Sequence, residues 1–189
     1  MMISGQEYLI ALGGNLRSEA GVPQQTLRAA LAMLEDGGVQ LKAVSGFYRT
    51  PCFPPGAGPD YVNAAARVGY DGGPQDFLTV LHTVESQFGR ERQQRWGRRT
   101  LDLDLVAAGQ LVLPDEAIHA DWRNLPPEKQ VESTPDQLIV PHPRLQDRAF
   151  VLVPLADVAP DWVHPVLGLS VTEMLEHLPP ASRKDVVEL

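Results

Sequence analysis

Asp102 and Asp104 are the residues of this 189-residue chain whose type and spacing bear most directly on chemistry. They sit in Leu101-Asp102-Leu103-Asp104-Leu105, a strict apolar–acidic alternation that predicts a half-buried strand. Strand residues two apart share one face, with Cα atoms about 6.5 Å apart. The leucines take the buried face, so both carboxylates emerge together on the other. Two acids held so close repel unless a cation compensates them. Oxygen-only ligands suit magnesium, which keeps several waters and shares its remaining positions with phosphate oxygens. A solvated strand face that is merely acidic has the same spacing, and on spacing alone the two readings stand even.

The segment just upstream tips that balance. Arg90, Arg92, Arg95, Arg98 and Arg99 put five of the chain's 16 basic residues within ten positions. The guanidinium fork matches phosphate oxygens, and Gly89 and Gly97 bracket the run, which predicts a loop able to close on a ligand. Surface ion pairs are the plainer account of such a run. Beside a carboxylate pair, a metal–polyphosphate site is favoured. The cradle would not be a glycine-rich phosphate loop. No G-x-x-x-x-G-K-[ST] segment is present, and Lys42, Lys129 and Lys184 sit in no glycine-rich turn.

Other candidates are weaker singly. Tyr61 and Asn63 have same-face spacing, and a ring beside an amide could grip a flat heterocycle, although a core tyrosine is the commoner use. Phe150, taken alone, reads as core. Gly13-Gly14-Asn15 could approach a ligand closely, although a plain turn is the commoner reading of it alone. His142, between Pro141 and Pro143, could meet a phosphate or simply lie on the surface. Histidines 82, 119, 164 and 177 have no metal-ligand spacing, so zinc is not expected.

The elements that must position these groups alternate. Tyr8–Leu12 reads as a strand. A helix follows Pro23 with Leu27, Leu31 and Leu34 on one face, and Gly37-Gly38 ends it. Residues 39–49 look extended, and the Pro/Gly-rich stretch 51–59 must be a loop. Tyr61–Tyr70 is a candidate strand. Pro74–Phe88 is a second amphipathic helix, stopped by Gly89. With the aspartate strand the order is β-α-β-β-α-β, so the expected class is α+β, a ferredoxin-like core on an antiparallel sheet with a C-terminal helical extension. A single domain over 1–189 is expected, with a long inserted loop at about 113–137 that is functional or locally disordered. Arg148–Ala156 reads as a helix until Pro154 disturbs it, and Ser170 with Glu173 forms a capping box for a last short helix.

Composition bounds the rest. The 24 acidic against 16 basic residues give a net charge of −8, which argues against nucleic acid as partner. No apolar run reaches the ~20 residues of a membrane helix, the N-terminus lacks the pattern of a secretory signal, and one cysteine excludes an intramolecular disulfide. A cytoplasmic protein without a membrane partner is expected.

Several blocks together resemble the 6-hydroxymethyl-7,8-dihydropterin pyrophosphokinase family. They are Ala11-Leu12-Gly13-Gly14-Asn15-Leu16, Phe47-Tyr48-Arg49-Thr50-Pro51 with Asp60-Tyr61-Val62-Asn63-Ala64-Ala65, the run Arg95 to Leu105, and Pro141-His142-Pro143-Arg144-Leu145 with Arg148-Ala149-Phe150-Val151-Leu152. The resemblance implies transfer of a pyrophosphoryl group from ATP to the hydroxymethyl oxygen of the pterin, leaving AMP, in folate biosynthesis. It implies that Asp102 and Asp104 hold two magnesium ions and that Arg90, Arg92 and Arg99 act on the triphosphate. Trp96, His82, Glu85, His142 and Arg148 would lie on the nucleotide side. Tyr61 and Phe150 would stack on the pterin, Asn63 would bond its edge, and backbone at Thr50, Cys52 and Phe53 would complete the pocket. The partners implied are ATP and a reduced pterin, with a monomer expected and a homodimer as the alternative. Arg98 departs from the family's usual proline or small residue, and His82 stands where a glutamine can occur. Two other classes stay open: a different two-metal enzyme on the same D-x-D strand, such as a nucleotidyltransferase or nuclease, and a non-enzymatic binding module.

Overall fold

Six strands form one antiparallel sheet in the computed structural model, which describes residues 5–52, 54–89 and 100–189. They are β1 (Gln6–Gly14), β2 (Gln40–Val44), β3 (Tyr48–Thr50), β4 (Tyr61–Tyr70), β5 (Asp102–Ala108) and β6 (Val187–Glu188). Their order is β5-β1-β4-β3-β6, with β2 also paired to β4. The helices are α1 (Pro23–Asp36), α2 (Pro74–Gln87), α3 (Glu116–Arg123), α4 (Pro127–Glu132), α5 (Ala149–Val158), α6 (Val171–Glu176) and α7 (Pro180–Lys184). The class is α+β.

The sheet has a core on each face. On one, Tyr8, Ile10 and Leu12 of β1, Ala64, Ala66 and Val68 of β4, and Leu103 and Leu105 of β5 pack against Leu27, Leu31 and Leu34 of α1 and Phe77, Leu81 and Val84 of α2. The Tyr8 and Phe77 rings lie 4.4 Å apart between centroids. On the other, Leu9, Ala11, Ala65 and Val106 pack against Val151, Leu152 and Leu155 of α5 and Val171 and Met174 of α6. A strand covered on both faces has no polar side to alternate with, which is why β4 shows no period of two. Its three alanines, Ala64 to Ala66, leave room for helices on both sides.

Three local expectations change. β1 runs on through Gly13 and Gly14, which pair with Asn63 and Val62 of β4, so the glycines belong to a strand and not to a turn. Pro154 lies inside α5 without ending it. It costs the one hydrogen bond its missing N–H would have made to the carbonyl of Phe150, and the buried side chains on either side hold the helix together. The 113–137 stretch, expected as a loop, contains α3 and α4. Asp115 caps α3 by accepting from the Ile118 N–H at 2.8 Å, and Pro127 starts α4. Helices this short show too few apolar repeats to stand out by periodicity. The capping box at Ser170 and Glu173 is present, with bonds of 3.1 and 3.3 Å.

Two fully buried histidines fasten the excursion. His119 of α3 donates from Nε2 to the Pro141 carbonyl at 2.9 Å, which leaves Nδ1 to accept from Arg123 at 3.3 Å. His164 accepts at Nδ1 from the N–H groups of Val166 and Leu167, both at 3.1 Å, and the two imidazoles meet edge-on with centroids 6.0 Å apart. Burial lowers the pKa of His119, and burial with the neighbouring His119 and Arg123 pushes His164 down to about 4. Both are neutral in the fold and protonate near pH 6.5 once unfolded, so below 6.5 the unfolded chain binds more protons. Stability therefore falls on acidification below about pH 6.5, by roughly 1.4 kcal/mol per pH unit from His164 until its folded pKa of about 4, with His119 acting in the same direction. Urea midpoints at pH 7, 6 and 5 measure this. His164→Leu should flatten the slope by about one histidine's worth, and an unchanged slope would contradict the assignment.

Candidate functional site

Register explains how the sheet gathers its polar groups. Asp102 of β5 stands opposite Gly13 of β1, Gly13 opposite Asn63 of β4, and Asn63 opposite Tyr48 of β3. Directly opposed residues of antiparallel strands share a face, so these four form one row across the sheet. One step along lie Asp104, Ala11 and Ala65, on the same face. Leu101, Leu103 and Leu105 are buried on the other face, as the alternation predicts. The carboxylates thus point to the face that α5 covers only in part.

Glycine at position 13 opens a lane in the row. A Cβ there would lie 2.9 Å from Asn63 Oδ1, so any side chain would close the gap between Asp102 and Asn63. With strands about 4.8 Å apart, Asp102 and Asn63 stand roughly 10 Å from each other across it. The sequence offered only glycine itself as a signal, and pairing was needed to show its use.

Asn63 and Thr50 are each only 7% exposed. Asn63 Nδ2 donates to Thr50 Oγ1 at 2.7 Å, and its carbonyl oxygen is turned toward the lane at Gly13. Tyr61, opposite Thr50 and on the same face, is half-buried at the start of β4. Cys52 is a partly buried free thiol, and Asn15 Nδ2, donating to the Pro59 carbonyl at 3.3 Å, borders the same loop. Phe53 lies outside the described residues.

α5 is set on this face by Asp157, which accepts from the Tyr48 hydroxyl at 2.6 Å and from the Gly46 N–H at 3.1 Å. Phe150, expected in the core, is instead 40% exposed in the first turn of α5. The Arg148 guanidinium carbon lies 5.5 Å from its ring centroid, near enough for the ring face to attract the cation.

A cavity of about 480 Å³ adjoins Asp104 and is lined also by His82, His142, Arg144 and Arg148 among others. His142 is pinned beside the aspartate strand: its N–H donates to the Val106 carbonyl at 2.8 Å, and its Nδ1 accepts from the Arg144 N–H at 3.1 Å. Burial and then Arg148 push its pKa down to about 3, against the opposing pull of Asp102. The ring is neutral, with its proton assigned to Nε2, so it offers a donor without adding a charge. His82 is exposed on α2 at the cavity wall, whereas Glu85, one turn on, is only 1% exposed and does not line the cavity. Arg90, Arg92, Trp96 and Arg99 lie outside the described residues.

The donor set fits a hard divalent ion that takes part of its coordination elsewhere. Among the described residues no cluster of three or more His, Cys, Asp or Glu side chains could hold a metal ion. Asp102 and Asp104 alone would leave most positions to water and phosphate oxygens, as magnesium requires.

The model of the family described as 7,8-dihydro-6-hydroxymethylpterin-pyrophosphokinase (HPPK) matches residues 9–160, which span every site element from β1 to α5. A 2-amino-4-hydroxy-6-hydroxymethyldihydropteridine pyrophosphokinase of Synechocystis sp. is 35% identical over 171 residues, covering 90% of this chain and 75% of the relative. The enzyme of the same name from Pseudomonas aeruginosa is 37% identical over 175 residues, covering 92% and 93%. Among solved structures, Plasmodium falciparum HPPK-DHPS superposes with a TM-score of 0.60 at 14% identity, a likeness of fold. It covers 91% of this chain, which spans only 44% of that longer one. By these matches the chain belongs to the 7,8-dihydro-6-hydroxymethylpterin-pyrophosphokinase family, enzymes that place a pyrophosphoryl group on the hydroxymethyl arm of a dihydropterin.

Proposed function

We propose that the chain transfers the β,γ-pyrophosphoryl group of ATP to the hydroxymethyl oxygen of 6-hydroxymethyl-7,8-dihydropterin, with two magnesium ions, as a cytoplasmic step of folate biosynthesis. The observation that carries this reading is the row Asp102–Gly13–Asn63, which sets a carboxylate pair and a buried amide on one face with an open lane between them. The pterin oxygen attacks the β-phosphorus, the bond from that phosphorus to the α,β-bridging oxygen breaks, and AMP leaves with that oxygen. A single domain over 1–189 with a ferredoxin-like core, working as a monomer, accounts for the site. The order β5-β1-β4-β2 supports that fold reading.

Asp102 and Asp104 would hold the magnesium, which when bound offsets phosphate charge and orients the group under attack. Every other role belongs to the chain. Asn63, held by Thr50, presents a carbonyl oxygen to the amide and amine donors at the pterin edge. Tyr61 and Phe150 supply ring faces, with backbone at Thr50, Cys52 and Phe53 closing the pocket. His142 donates from Nε2 to a phosphate oxygen, and Arg148 and His82 line the same side. Arg90, Arg92 and Arg99 would meet the triphosphate, Trp96 would help exclude water, and Glu85 would stand on the nucleotide side. These last five assignments rest on the sequence resemblance.

AMP release from Mg-ATP with and without the pterin is the direct test. Release that does not depend on the pterin would reject the reading. Asp102→Ala and Asp104→Ala should each lower kcat by about 10³-fold, the scale seen when a preorganised charge-stabilising group is removed, with unchanged far-UV circular dichroism. If both variants remain active, the metal assignment fails.

Gly13→Ala probes the lane. Its Cβ would press on Asn63 Oδ1, and the displaced amide should raise the KM for the pterin about tenfold while the KM for ATP moves less. An unchanged pterin KM would show that the lane is not used.

A further inference from the structure

The cavity beside Asp104 has a second wall, contributed by the α3–α4 excursion through Trp122 and Gln130 and by Asp136 beyond it. We propose that this wall is the nucleobase-selecting element of the enzyme, with Trp122 lying against the face of the purine of ATP. The proposal rests on the reading of the site as an ATP-dependent pyrophosphokinase and adds a specificity-determining residue to it.

Chemistry divides the cavity. His82, His142, Arg144 and Arg148 suit phosphate oxygens and the ions that accompany them. The remaining surface sets the apolar Leu78, Trp122, Leu138 and Ile139 among uncharged polar side chains, and Asp136 adds a carboxylate that would repel a phosphate. A triphosphate placed toward the arginines and Asp104 leaves the flat, uncharged base for that apolar wall. At about 480 Å³ the cavity is within the range for a ligand of this size.

The wall is held in place from both sides of His142. On one side, His119 of α3 donates to the Pro141 carbonyl, and Leu113 and Val140 pair in an isolated antiparallel bridge. On the other, the Arg144 guanidinium donates to Gln130 Oε1, while Gln130 Nε2 donates back to the carbonyls of Trp122 at 3.3 Å and Leu125 at 2.6 Å. Gln130 therefore links the residue carrying the ring to an arginine of the cavity. A wall fastened at both ends before the ligand arrives spends little ordering entropy on binding, which is what selection by shape requires.

The test is the nucleotide dependence of Trp122 variants. Losing a base–aromatic stack should raise the KM for ATP about tenfold in Trp122→Ala, and Trp122→Phe should recover most of it. The pterin KM should move less than twofold, and the preference for ATP over GTP should narrow, which a merely structural role would not produce. An unchanged ATP KM with an unchanged ATP/GTP preference, in a folded variant with pterin-dependent AMP release, would overturn the proposal. Should Trp122→Ala not fold, Trp122→Phe carries the test through fluorescence. Its change on adding a non-hydrolysable ATP analogue with magnesium should be smaller than that of the unmodified protein, and an equal change would overturn the proposal. If the unmodified protein releases no pterin-dependent AMP, the pyrophosphokinase reading fails, and the fluorescence comparison still decides whether a purine nucleotide meets this wall.

Discussion

Two like charges fixed on one strand face set the conditions for the rest of the site. Asp102 and Asp104 are held by pairing to Gly13 and Ala11, so they cannot relieve their repulsion by moving apart. Two unit charges about 6.5 Å apart, the spacing of the two Cα atoms in a strand, repel by about 2.5 kcal/mol at an effective dielectric of 20. Relief must come from positive charge brought to them. The nearest imidazole does not provide it, because burial and Arg148 keep His142 neutral. A protonated His142 would partly satisfy the aspartates and compete with a cation. Kept neutral, it leaves the carboxylates as the strongest attraction in the site and still offers a hydrogen to a phosphate oxygen.

Where these groups become accessible follows from how far the second core extends. α5 fills its face over Leu9, Ala65 and Val106, and Asp157 ties it to Tyr48. Its first turn ends at Phe150 and Arg148, close to where the apolar residues of that face give way to Asp104, Asp102, Gly13 and Asn63. On the opposite face helices α1 and α2 pack an apolar cluster over the sheet. One face thus supplies the rigidity, and the other is part core and part site. Preorganisation comes from strand pairing, which fixes side-chain directions more tightly than a loop would.

The parts legible in the sequence were those with a strong local period or local chemistry. The alternation at 101–105 gave the buried and open faces of β5, and the leucine spacing after Pro23 gave α1. Proline and glycine gave the loop before Tyr61, and Ser170 with Glu173 gave a helix start. What stayed hidden depended on partners far along the chain. Gly13 reads as a turn until Asn63 and Asp102 are known to flank it. Phe150 reads as core because nothing local says that the α5 face runs out there. His119 and His164 carry no ligand spacing, yet they meet as buried neutral rings. Helices α3 and α4 are short and polar, so their signals are the cap at Asp115 and Pro127 alone.

On the proposed reading the two substrates would be recognised by different physics, set by the burial of each group. Phosphates would be met by charge, at Arg148 in the lining of an open cavity and at carboxylates holding a cation, so affinity there would scale with ion content and fall with salt. The pterin edge would be met by the Asn63 amide, which is almost wholly buried and already bonded to Thr50. A flat ring that fits between Tyr61 and Phe150 but offers no donors would leave the Asn63 carbonyl stripped of water and unpaired, at a cost of about 1–3 kcal/mol. Stacking alone accepts most flat rings, so on this reading discrimination between pterins and other heterocycles would fall to this amide together with the pocket's backbone groups. On the same reading glycine at position 13 would matter: the amide could discriminate only if a ligand reached its oxygen, and a Cβ on the neighbouring strand would lie 2.9 Å from it.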